Sequence, residues 1–245
     1  MTTADPFRRK LEHVITLPHD RWTKVAGIFS TSRDIPAGTQ IMTEGEPVAE
    51  DVLVESGWAT RERLLSGGER QVIGFVLPGD LSRHAPLTSS RADHTLRALS
   101  PLRVRRIDQT AWAALQREDP AIADAAWWLA AHDAAILKEH VVALGRRAAP
   151  ARVHYLVWEL AQRLALVGLG SGGTFEFPVS QEVLADAVGM TPRHLGRVMA
   201  RLHDDGVIRF RNGTLTILDH PRLTAEADCR AEYLALLPGA RARES

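Results

Sequence analysis

Cysteine is nearly absent from this chain of 245 residues, in which Cys229 stands alone. A single thiol excludes an intramolecular disulfide and any iron–sulfur cluster held by the cysteines of one chain, so redox sensing through such a cluster is not expected. Also missing is a run of about eighteen apolar residues that would span a bilayer. Residues 1–14 lack the apolar centre of a secretory signal. The expected location is therefore the cytoplasm, with no membrane partner. Net charge is absent too, since 30 Lys and Arg balance 30 Asp and Glu. That balance argues against a protein that coats nucleic acid without regard to sequence, and any attraction to DNA has to be local. No internal repeat is evident, and no catalytic constellation is found. Leu65-Ser66-Gly67-Gly68 lacks the following lysine and the helix start of a phosphate loop, and Asp204-Asp205 reads as a solvent-facing pair at a helix end. What is present is an ordinary globular composition, 45% hydrophobic, on a chain long enough for two domains with separate cores.

Residues 35–107 are broken by turn residues at close spacing, at Pro36-Ala37-Gly38, Glu44-Gly45-Glu46, Ser56-Gly57, Ser66-Gly67-Gly68 and Pro78-Gly79-Asp80. This rhythm predicts a β-sandwich or barrel, with a jelly roll of about eight strands as the natural closure. Val52-Leu53-Val54 and residues 72–76 look like buried strands, and residues 96–107 alternate basic and apolar side chains as a half-exposed strand would.

Helical sequence takes over at Asp108, and residues 120–145 form the longest periodic segment. Ile122, Leu129, Ile136 and Ala143 recur every seven residues, the repeat that two helices need to wind around each other. They are the candidate dimer seam. The second seam position falls on Ala125 or Ala126, then His132 or Asp133, then Glu139 or His140, and the polar groups there weaken a simple zipper. The other reading is a helix packed only on its own β domain. Trp127 and Trp128 lie on adjacent flanks, so that one would face the β domain and the other a partner. Gly145 and Pro150 then break the helix and mark an interdomain hinge, followed by a helix over residues 151–166, a flexible connector at 168–173 and a short strand at 174–179.

The richest stretch is 180–215. Ser180 is a helix N-cap before an apolar stripe of Val183, Leu184, Ala187 and Val188. Gly189 closes that helix in a left-handed conformation, and Thr191-Pro192 starts a second one three residues later. This is the spacing of a helix-turn-helix, whose second helix enters the major groove. In the second helix Leu195, Val198, Met199 and Leu202 share the inward face, while Arg193, His194, Arg197 and Arg201 project elsewhere. Gly196 allows close approach of DNA or of the partner helix. Asp204-Asp205-Gly206 ends the helix, and two strands flank Asn212-Gly213, a strong hairpin signal, to make a wing carrying Arg209 and Arg211. Arginine donates two hydrogen bonds to guanine, so Arg197 and Arg193 are the best base readers, whereas the wing arginines suit phosphate. Over residues 188–218 five arginines face two aspartates, a local excess of three positive charges on a neutral chain. The competing reading, an arginine-rich amphipathic helix on a solvated face, explains neither the turn nor the wing. Ser180, Gln181, Thr191, Arg193, His194, Arg197, Arg201 and Arg211 are thus the candidate DNA-binding residues, with double-stranded DNA as partner.

The β domain, long helix, hinge and winged helix together resemble the bacterial Crp/Fnr family of transcription regulators over about residues 30–220. The most specific matches are Arg70-Gln71-Val72-Ile73-Gly74-Phe75 leading to Pro78-Gly79-Asp80, then Leu144-Gly145-Arg146-Arg147-Ala148, then residues 184–192 with His194 and Arg197. They look closer to the Fnr and FixK branch than to the cyclic-AMP receptor. The resemblance implies an α+β fold with an N-terminal cyclic-nucleotide-binding-like β-roll, a long dimerisation helix and a C-terminal winged helix-turn-helix. It also implies a homodimer on a palindromic site, a signal that reorients the DNA-binding domains, and RNA polymerase as a further partner. The corresponding divisions are 1–119, 120–147, 148–225 and a tail over 226–245. Departures from the pattern matter as well. The family's nucleotide-holding glutamate and Arg-Ser pair fall near His84 and near Ala92-Asp93, and an aspartate beside the phosphate position repels an anion, so cyclic nucleotides are expected to bind weakly or not at all. Where the family carries a glutamate in the recognition helix this chain has Arg193, so the family's base preference is not carried over at that position.

Ten histidines invite a metal or haem reading, but no pair has a strong ligand pattern. His132 and His140, eight residues apart, need a second chain to close a metal site. No cofactor is expected. His84 and His94 are the candidate effector contacts in the β domain. A metal-dependent cupin-like jelly-roll enzyme lacks the closely spaced histidines and glutamate it requires. An effector-binding regulatory module acting by protein contacts alone leaves the basic helix and wing without a purpose.

Overall fold

The computed structural model describes residues 5–83 and 91–228. Asp5 accepts hydrogen bonds from the amides of Phe7 and Arg8 at 3.0 and 3.4 Å, and with Pro6 in the first turn it starts α1 (Pro6–Glu12). Helix α2 (His19–Gly27) follows and leads into the β domain. There β1 (Arg33–Ile35), β2 (Gln40–Met42), β3 (Val52–Ser56), β4 (Ala59–Leu64), β5 (Arg70–Val76), β6 (Thr95–Ala98) and β7 (Leu102–Arg106) form two antiparallel sheets, ordered β1-β7-β3 and β2-β6-β4-β5. Val52, Val54, Val76, Leu96 and Val104 fill the space between them. The single strand expected over 96–107 is in fact two. Ser100-Pro101 turns the chain, Ser100 Oγ accepts from the Trp58 amide at 3.0 Å, and β6 and β7 end up in different sheets. Alternation alone does not register such a corner, because the pattern resumes in phase after it.

Asp108 caps α3 (Gln109–Glu118) and Asp119 caps α4 (Pro120–Arg146). The expected seam residues Ile122, Leu129, Ile136 and Ala143 are at most 8% exposed, and they are buried by their own chain. Ile122 and Leu129 pack with Phe7, Trp22 and Trp112. Ile136 and Ala143 pack with Trp58, Phe75 and the C-terminal domain. These positions are therefore core, a correction with a simple cause: a seven-residue repeat marks whichever face of a straight helix is buried, without saying by what. The exposed apolar side of α4 carries Trp127 (75% exposed), Leu137 (49%) and Val141 (64%). Trp128 turns inward and stacks on His132 with ring centroids 4.9 Å apart.

Helix α4 runs straight through Gly145. Arg147 and Ala148 are extended instead, and α5 (Ala149–Leu166) begins with Pro150 in its first turn. Proline has no amide to give to a preceding turn, so the break belongs to Pro150 rather than to the glycine. The C-terminal domain continues with β8 (Thr174–Glu176), α6 (Gln181–Val188), α7 (Pro192–Asp204), β9 (Ile208–Arg211), β10 (Thr214–Ile217) and α8 (His220–Ala227), its sheet ordered β8-β10-β9.

The two domains are joined through one core. Trp58 stacks on Phe175 at 6.5 Å and meets Phe177 edge-on at 5.8 Å. Beside this aromatic contact runs a buried ionic chain. Lys10 Nζ lies 2.6 Å from Asp80 Oδ1, Asp80 Oδ2 lies 2.5 Å from Arg163, and Arg163 lies 2.6 Å from Glu159. Burial alone would raise the Asp80 pKa, but the charges of Lys10 and Arg163 outweigh it and hold the carboxyl well below the usual range. Gly79 (φ +89°) brings the 77–80 turn so close to α1 that a Cβ there would lie 3.0 Å from the Pro6 backbone. At the other end of the interface Arg70 pairs with Asp186 at 2.6 Å, and Gln71 donates to the Asp186 carbonyl at 2.7 Å.

Candidate nucleic-acid interface

The helix-turn-helix is built by local capping. Ser180 Oγ accepts from the Val183 amide at 3.2 Å and Thr191 Oγ1 from the His194 amide at 3.3 Å. Between them Gly189 takes the left-handed conformation (φ 63°, ψ 50°) that lets the chain leave α6 and re-enter a helix three residues later. Leu195, Val198 and Leu202 of α7 are buried, with Met199 packed against the same core, as the face pattern predicts. Gly196 faces α6: a Cβ there would sit 2.8 Å from Gln181 Nε2, which donates to the Pro192 carbonyl at 2.9 Å. Asn212 and Gly213 both have positive φ (51° and 72°), as a tight two-residue hairpin requires, and they join β9 to β10.

This scaffold leaves a distinctive set of cations. Arg193, Arg197, Arg209 and Arg211 are exposed and have no ion pair or side-chain hydrogen bond among the described residues. Arg201 lies 3.9 Å from Asp205. Arg209 and Arg211 oppose Thr216 and Thr214 across the hairpin and so share one face, with Phe210 on the other. Ser180, Gln181, Thr191 and His194 are exposed at the start of their helices, where unpaired amides favour an anion.

Two contributors have long-range contacts that the sequence does not signal. Arg152 donates to the carbonyls of Val188 and Gly189 at 3.2 and 3.4 Å and to that of Arg147 at 3.0 Å, tying the helix-turn-helix to the hinge. Arg222 pairs with Asp205 at 3.1 Å and Glu226 at 2.6 Å, bracing the end of α7 against α8. Glu226 is one helical turn from Arg222 and so a local partner, but the carbonyls of Val188 and Gly189 and the Asp205 carboxylate come near only on folding.

In the β domain a cavity of about 350 Å³ lies between β5 and α4, lined among others by Arg61, Phe75, His94, Asp133 and Arg163. His94 is buried, its Nδ1 lies 2.7 Å from Asp93, and its Nε2 has no hydrogen-bond partner among the described residues. Burial is the main cause of its lowered pKa and favours the neutral ring. His84 lies outside the described residues. Arg61, Arg83 and Arg163 are engaged by Asp133, Asp51 and Asp80. No helix among the described residues is long and apolar enough to cross a membrane.

A β-roll joined through a long helix to a winged helix-turn-helix with an unpaired basic face defines a DNA-binding regulator of two domains. Residues 32–119 match the cyclic nucleotide-binding domain family, and residues 151–226 match the Crp-like helix-turn-helix domain family. The chain is 26% identical over 217 residues to the nitrogen fixation regulation protein FixK of Azorhizobium caulinodans, covering 82% of this chain and 87% of that protein. It is 25% identical over 199 residues to the transcriptional activator protein FnrL of Cereibacter sphaeroides, covering 80% and 79%. The solved structure of FixK2 from Bradyrhizobium japonicum superposes with a TM-score of 0.72 at 26% identity, covering 82% of this chain and 98% of that one. The chain is a transcription regulator of the Crp/Fnr type, homologous to FixK and FnrL.

Proposed function

We propose that this regulator binds an inverted-repeat DNA site as a homodimer, reading bases with Arg193 and Arg197 and holding phosphate with Arg201, Arg209, Arg211 and the capped helix starts at Ser180, Gln181, Thr191 and His194. The observation that carries the reading is the concentration of unpaired, exposed arginines on α7 and the wing. The dimer seam is the exposed face of α4, where Trp127, Ala134 and Val141 recur every seven residues with Ala130 and Leu137 between them, the alternating three-and-four spacing of two wound helices. The protein works in the cytoplasm, with RNA polymerase as a second partner and no catalysis of its own. Because Arg61, Arg83 and Arg163 are engaged by carboxylates and Arg91, the cavity's fourth arginine, donates to the Gly45 carbonyl at 2.8 Å, the β-roll is a weak site for the phosphate of a cyclic nucleotide.

Selection of bound sites from a random double-stranded library tests the reading. An inverted repeat with half-sites about 10 base pairs apart is expected, as two recognition helices related by a twofold axis require. Unenriched sequence sinks it. Leu137→Asp places a charge in the proposed seam, and in analytical ultracentrifugation the variant is expected to sediment as a monomer. A persistent dimer would place the seam elsewhere.

A further inference from the structure

The first two turns of α7 offer DNA a restricted set of groups. They contain no acidic side chain, Leu195 and Val198 are buried, and Gly196 faces Gln181. His194 and Arg197 both line a groove shared with His154 and Arg222 on the α5 and α8 side, and of the two only the arginine presents a fork of donors that can meet two acceptors on one base. Arg193 and Arg197 are left, four residues apart, which on a helix means nearly the same face and about 6 Å of rise. Base pairs stack about 3.4 Å apart, so two side chains of equal length at that separation meet base edges about two steps apart. Both can only donate. Guanine is the base whose major-groove edge presents two acceptors, whereas cytosine offers a donor and adenine a donor with an acceptor.

Resting on the reading that α7 enters the major groove, we propose that each half-site carries two G·C pairs separated by one pair that α7 leaves unread. Arg193 and Arg197 each donate two hydrogen bonds to the O6 and N7 of one guanine. The gap between them follows from residue 196, whose outward direction is occupied by the Gln181 amide rather than by a side chain of its own. Arg201, one turn further along, lies beside Asp205 and contributes to the backbone instead.

The test selects sites with the native protein and with Arg193→Glu and Arg193→Gln from the same library. Arg193 is exposed, so all three proteins are expected to unfold at the same temperature. The pattern is the readout rather than the affinity, because a carboxylate at 193 also repels phosphate. Native protein should enrich two G·C pairs flanking one pair without preference. Arg193→Glu should keep the guanine read by Arg197 and lose the other, with a drop in preference of about 5- to 150-fold at that pair in favour of cytosine. Arg193→Gln should shift the same pair towards adenine. An enriched inverted repeat without the two spaced G·C pairs, or an unchanged preference in both variants, overturns the proposal while leaving DNA binding intact. No enriched repeat from the native protein overturns the groove reading and the proposal with it.

Discussion

At the junction of the two domains Arg163 is buried between Asp80 and Glu159, while on α7 Arg193 and Arg197 stand in solvent with no carboxylate at ion-pairing distance among the described residues. The side chain is the same and the consequences are opposite. In the junction, the cost of removing a guanidinium from water is offset by two charged partners and by a hydrogen bond to the Phe75 carbonyl at 2.9 Å, so Arg163 holds parts of the chain together. Burial opposes its charge, but Asp80 and Glu159 outweigh that and hold its pKa above the ordinary value. On α7 hydration is kept, and the absence of an internal ion pair leaves the donors available for the base and phosphate contacts proposed above. The proposed recognition face is marked less by the presence of arginine than by the absence of its usual partner.

The largest effect comes from breaking the paired side. Asp80→Ala leaves Lys10 and Arg163 buried with one counter-charge fewer, and about 3–5 kcal/mol of stability should be lost in chemical denaturation. A loss below about 1 kcal/mol would mean that water reaches the junction and that the contrast with α7 is weak. On the unpaired side, Arg197→Ala should lower specific DNA affinity by about 1–3 kcal/mol with no change in the unfolding midpoint. A shifted midpoint would show that Arg197 also holds the fold. Smallest is Arg211→Ala, for which binding to all sequences should weaken evenly and the logarithmic salt dependence should become shallower by about one unit. An unchanged slope would remove the wing from the phosphate contacts.

The candidate site was the most legible part of the molecule. Ser180, Gly189, Thr191 and Pro192 act on amides and carbonyls within a few residues of themselves, so α6, the turn and α7 fall where those residues put them. Asn212-Gly213 makes its hairpin for the same reason. Less legible was α4, whose length and periodicity are plain but whose repeat at Ile122, Leu129, Ile136 and Ala143 faces its own chain. The periodicity of a helix counts buried faces and does not name the neighbour. Trp127, Leu137 and Val141 became distinguishable only when the other side was seen to be filled.

What the sequence determined by itself is the set of elements whose signals are local: caps, turns, apolar stripes, and the basic face of α7. The tertiary structure alone decided which face of α4 stays exposed and that Lys10, Asp80, Arg163 and Glu159 form one buried chain. It also decided that Arg152 ties the hinge to the helix-turn-helix. Lys10 and Asp80 are 70 residues apart and Asp80 and Arg163 are 83 apart. Over such distances no local pattern links a charge to its partner, and only the burial of both in one core makes their pairing necessary.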